Sequence, residues 1–73
     1  MRYAIVIERA KANYSGYVPD LPGCIATGAT ASETETLLRE AIELHIKGMK
    51  EDGIPVPQPS SEAKYVDVRV AGE

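Results

Sequence analysis

Between Ser32 and Asp52 lies the one stretch long and periodic enough to build a helix, and every shorter segment must find its place against it. At about 100° per residue, Leu38, Ala41, His45 and Met49 fall at the centre of an apolar arc. Ile42 and Ile46 lie on one flank; Leu37, Leu44 and Gly48 lie on the other. Arg39, Glu40, Glu43, Lys47, Lys50 and Glu51 fill the remainder. The arc is roughly 200° wide, about twice the stripe that seats a helix on one sheet, so part of it calls for a second contact. Thr30 and Glu33 make a T-x-x-E capping box ahead of the helix, and Ser32 with Glu35 offers the same chemistry two residues later. Gly53 is placed to close the other end in a left-handed conformation.

The flanking segments read as strands. Tyr3-Ala4-Ile5-Val6-Ile7 is β-branched and aromatic, and its apolar run suits an interior strand. A polar connection, Arg9 to Asn13, leads to a second strand over Tyr14–Val18. Pro19-Asp20-Leu21-Pro22-Gly23 then makes a rigid turn, since it combines fixed φ, an Asx hydrogen bond and a residue free to take positive φ. Cys24–Gly28 is a short third strand. After the helix, Pro55, Pro57 and Pro59 alternate, which forbids helix and favours an extended return along the surface. In Tyr65–Val70, Val66, Val68 and Val70 share one face and Tyr65, Asp67 and Arg69 the other, the pattern of a fourth strand. The expected fold is α+β, a single domain over residues 1–73 in the order β-β-β-α-β, with a mixed sheet of order 3-2-1-4 and the helix packed on one face.

At 73 residues such a domain buries barely enough apolar surface to offset chain entropy, so a dimer or larger homo-oligomer is expected. Leu37, Leu44 and Ile46 on the wide helical arc are its candidate contacts. One cysteine excludes an internal disulfide, and no apolar run reaches the length of a membrane span or a signal core, which suits a soluble, cytoplasmic protein. The net charge is −3, and the Glu33–Asp52 stretch alone carries six acids against three bases. A nucleic-acid binder would show a basic stripe instead; an acidic face suits solvent or a basic partner.

A β-β-β-α-β sheet resembles the core of the ribonuclease H fold, whose nucleases hold two metal ions between converging carboxylates. The residues for that chemistry are missing. The first strand centres on Ala4-Ile5-Val6, Glu40 and Glu43 lie on the helical arc away from the sheet, and Asp67 stands alone. His45 sits amid the apolar arc, where a core or interface role is expected, and Cys24 reads as a small strand hydrophobe rather than a nucleophile. Gly16, Gly23 and Gly28 follow no phosphate-loop spacing. No cofactor and no metal site is expected.

The run Tyr17-Val18-Pro19-Asp20-Leu21-Pro22-Gly23-Cys24, then Gly28-Ala29-Thr30, Glu40-Ala41-Ile42 and Glu51-Asp52-Gly53-Ile54-Pro55-Val56-Pro57-Gln58-Pro59-Ser60, resembles the HicB-type antitoxin family over nearly the whole chain. That resemblance implies a partial ribonuclease H fold without nuclease activity and a partner of the HicA type, a small basic mRNA-cleaving ribonuclease toxin. Many family members also carry a C-terminal DNA-binding segment. After Val70 this sequence has only Ala71, Gly72 and Glu73, so direct DNA binding is not expected of it. The surface expected to meet a toxin comprises Tyr17, Asp20, Leu21, Pro22, Glu40 and Glu43. The competing expectations are a solitary homo-oligomeric scaffold and a residual ribonuclease H-like enzyme.

Overall fold

The computed structural model describes residues 1–72. Three short strands, β1 (Val6–Arg9), β2 (Tyr14–Tyr17) and β3 (Ile25–Gly28), precede one helix, α1 (Ala31–Glu51). The strands form an antiparallel meander of order β1-β2-β3, in which Val6 lies opposite Tyr17 and Tyr17 opposite Ile25.

The first strand begins later than its apolar run suggests, because the chain facing Tyr3–Ile5 has left the ladder. Continuing the β1–β2 register puts Pro19, which has no N–H to give, opposite Ala4, and beyond it the chain folds back, with Leu21 N–H on Val18 O. The β1–β2 hairpin closes over Ala10–Asn13, with Ala10 N–H donating to Asn13 O (2.8 Å). Between β2 and β3 the chain makes a compact turn. Leu21 N–H reaches Val18 O, Cys24 N–H reaches Leu21 O (both 3.1 Å), and Gly23 takes φ +84°, where a side chain would be strained.

Helix α1 starts where the T-x-x-E pattern places it. The Thr30 hydroxyl accepts from Glu33 N–H (3.0 Å), while the Glu33 carboxylate accepts from Ala29 N–H (3.1 Å), one residue ahead of the cap itself. Ser32, the alternative cap, lies inside the helix. At the far end Gly53 has φ +68°, with Gly53 N–H on Lys50 O and Ile54 N–H on Met49 O, a Schellman closure. No helix among the described residues is long and apolar enough to cross a membrane.

The helix lies on the sheet by close approach. A Cβ on Gly16 would stand 2.6 Å from Leu38 Cδ1, and one on Gly28 would stand 2.7 Å from Thr34 Oγ1 and 3.0 Å from Thr34 N. Leu38 and Thr34 are fully buried at this seam, and the Thr34 hydroxyl is satisfied by donating to Thr30 O (2.8 Å). Val18, Leu21, Cys24 and Leu38 form the core, with Tyr3, Ile5, Ile7, Ala26, Ala41 and Ile42 packed around it. Burial pushes the Cys24 thiol pKa up, as suits a core thiol.

The fourth strand is a correction. Residues Tyr65–Val70 form no ladder, β1 is an edge rather than an interior strand, and the 3-2-1-4 order is reduced to its three-stranded part. Tyr65 is 102% exposed and Val66 80%. The alternation supplies the side chains of a strand, but among the described residues they pair with no edge of the sheet. The radius of gyration, 14.9 Å, accordingly exceeds the roughly 11 Å of a compact chain this long.

Candidate protein-binding surface

Period-two alternation divides the sheet into two faces. Tyr14, Gly16 and Val18 point toward α1, so Ser15 and Tyr17 point away from it. On the helix-free face the register aligns Val6, Tyr17 and Ile25 across all three strands, with Ile25 70% exposed. This apolar row is legible only once the register is known, since none of the three residues stands out in its own strand.

The residues expected to meet a toxin separate into three groups. Tyr17 lies on the helix-free face. Glu40 and Glu43 are both exposed on α1, Glu40 on its outer side and Glu43 at the rim of the groove that α1 makes with Met1–Ile5. The structure does not bring these carboxylates and Tyr17 together. Pro22 is exposed on the turn between β2 and β3, whereas Leu21, its neighbour, is fully buried. Leu21 therefore anchors the turn from beneath and offers no surface for contact.

Asp20 has a role inside the chain. Its carboxylate accepts from Ser60 N–H and Ser61 N–H (both 2.9 Å) and from the hydroxyls of Ser60 (3.2 Å) and Ser61 (2.8 Å). The two backbone donors, led by Ser61, lower its pKa from 3.8 to about 2. The turn thus clamps the chain leaving the proline segment, forty residues on in sequence. A second tie lies nearby, where Tyr3 OH donates to Pro57 O (2.6 Å). Ser60 and Ser61 look in the sequence like ordinary loop residues, and only two hydroxyls adjacent to two free amides hint at a carboxylate partner.

The candidate oligomer contacts also divide. Leu44 is 72% exposed, while Leu37 and Ile46 are half-buried. Ile46 belongs to a groove of about 590 Å³ between Met1–Ile5 and α1, floored by Tyr3, Ile5, Ile42 and Ile46 and bordered by Arg39 and Glu43.

Residues 3–69 match the family described as the HicB-like antitoxin of bacterial toxin-antitoxin systems. A 14.9 kDa protein from the rep-hol intergenic region of Haemophilus phage HP1 is 40% identical over 67 residues, 92% of this chain and 50% of the phage protein. The chain thus spans half the length of that relative. A UPF0150 protein of Thermoplasma acidophilum is 32% identical over 63 residues, 85% of this chain and 91% of its own. A UPF0150 protein of Archaeoglobus fulgidus is 41% identical over 56 residues, 73% of this chain and 81% of its own. Among solved structures, a chain of the HicA3 and HicB3 toxin-antitoxin complex superposes with a TM-score of 0.70 at 32% identity, covering 82% of this chain and 70% of that one.

Proposed function

Because the chain belongs to the HicB-like antitoxins of bacterial toxin-antitoxin systems, we propose that it works by binding rather than by catalysis, covering and neutralising a small basic ribonuclease toxin of the HicA type. The observation that carries this reading is the likeness, over four fifths of the chain, to a protein solved in a toxin-antitoxin complex. The partial ribonuclease H fold belongs to the same proposal.

The physical mechanism is competition for a basic RNA site. The exposed part of α1 presents Glu40 and Glu43 on a preformed helix, so an acidic surface is offered without any cost of ordering it. Carboxylates placed there occupy cations that would otherwise hold RNA phosphates, and the complementary charge speeds encounter more than it deepens affinity. Tyr17, with Val6 and Ile25 beside it, and Pro22 on the turn supply a second, apolar contact region on the other side of the sheet. Asp20 and Leu21 support that region by fixing the turn.

The test uses the purified chain and a purified HicA-type toxin. Expected outcomes are suppression of RNA cleavage at stoichiometric antitoxin, binding that weakens as salt rises, and no cleavage by the chain itself with divalent metal present. The double variant E40K/E43K should slow association about tenfold at low salt, in the range that electrostatic steering covers. Retention of the wild-type association rate would remove the helix from the interface, and failure of the wild-type chain to inhibit would remove the reading.

A further inference from the structure

We infer that Tyr65–Val70 of one copy completes the sheet of a second copy, lying as a fourth strand beside its β1, and that the exchange is reciprocal. The structure leaves both halves of this contact unfilled. Among the described residues β1 pairs only with β2, so the N–H and C=O groups along its other edge have no ladder partner, an arrangement that invites a further strand. Alongside the chain leading into β1 lies the groove floored by Tyr3, Ile5, Ile42 and Ile46. Its helical wall runs from Glu35 to Ile46, a rise of about 16 Å, which is the length of about five residues of extended chain.

The occupant has matching length and pattern. Val66, Val68 and Val70 form one apolar face of the segment, and Val66 and Val68 are 80% and 74% exposed. In its own copy the chain flanks Arg2–Ala4 only as far as Lys64, with Ser60 and Ser61 held by Asp20, and Tyr65 beyond them is wholly exposed and in no ladder. Each copy therefore carries one open edge and one unpaired strand, the stoichiometry that closes under a two-fold axis and leaves no edge for further growth. A stable dimer interface buries about 1,600 Å² in total, and a reciprocal exchange sets two docked strands rather than one against that requirement. The contact would also enlarge a core in which Val18, Leu21, Cys24 and Leu38 are the buried apolar side chains among the described residues.

This exchange does not rest on the antitoxin reading, and its test needs no toxin. The mass of the full 73-residue chain is measured by light scattering during size exclusion at micromolar concentration, for the wild type, V66S/V68S/V70S and L37S/L44S. The expected result is twice the 7.9 kDa chain mass for the wild type and for L37S/L44S. The triple valine variant should run as a monomer, with a dimer dissociation constant raised at least tenfold and its helical circular dichroism kept. Should that variant lose helix, Val68→Pro, which removes one ladder donor, takes its place. A monomeric wild type, with the segment folded back or free, overturns the proposal; so does a dimer that survives the valine substitutions or is lost with L37S/L44S.

Discussion

The seam between α1 and the sheet and the segment after the helix are held by opposite means. At the seam, Gly16 and Gly28 let Leu38 and Thr34 approach the strands so closely that a single added carbon would collide. Beyond Pro55, the chain is tied by polar contacts, Tyr3 to Pro57 and Asp20 to Ser60 and Ser61, and Tyr65–Val70 lies outside both. Shape holds the first region and hydrogen bonds hold the second. Close packing fixes one arrangement, whereas a clamp at one end of a segment leaves its far end available to a partner.

The contrast breaks most visibly at Leu38. Truncation to alanine removes a fully buried side chain at the point where α1 meets β2, and should cost about 2–5 kcal/mol, a large share of what a domain this small possesses. Urea denaturation of L38A should show loss of the cooperative transition or a midpoint near zero denaturant. G28A tests the same seam from the other side. Its new methyl would meet Thr34 N at 3.0 Å, and backbone cannot swing away as the end of a side chain can, so about 1–3 kcal/mol of overpacking is expected by the same measurement. A G28A midpoint equal to that of the wild type would mean that the helix is free to lift from the sheet.

Sequence patterning captured the first region because its rules are local. The T-x-x-E pattern, Gly53 and the 3.6-residue period place α1 within a residue or two, and alternation in Tyr14–Val18 gives the face of β2 correctly. Thr34 is not legible in the same way, because a polar side chain does not count toward an apolar arc, although its hydroxyl is satisfied within its own helix and its methyl packs at the seam. Tyr65–Val70 shows the reverse failure. Its alternation is as good as that of any strand here, yet pairing depends on where the chain is carried after the helix, and that path is fixed by contacts distant in sequence, Asp20 on Ser60 and Ser61 among them. Nothing local in the sequence joins residue 20 to residues 60 and 61. The same holds for the candidate site: the helical projection sets Glu40 and Glu43 on the polar arc of α1, but only the strand register shows that Tyr17 lies on the helix-free face of the sheet, apart from them.

Thr30→Ala sharpens the comparison with a smaller effect. It removes the acceptor for Glu33 N–H at the start of α1 and should lower stability by about 1 kcal/mol while leaving the seam intact. The expected thermal melt keeps its shape and moves to lower temperature, and T30S should restore most of the loss.

The smallest effect on global stability, and the most local, is expected at Asp20. Its carboxylate titrates at about 2 while it holds Ser60 and Ser61, against 3.8 when free. The ionised form is thus favoured by attachment, and the clamp contributes fully above pH 4, weakens as pH falls and is lost below about 2. The protection factors of the Ser60 and Ser61 amides, observed exchange by NMR relative to intrinsic exchange at each pH, should fall through this window while those of α1 amides stay high. D20A should exchange fast at these two positions already at neutral pH, with the unfolding midpoint of the core unchanged. If D20A instead lowered that midpoint as far as T30A does, the clamp would be part of the packed core, and the division between a region held by shape and one held by a carboxylate would not stand.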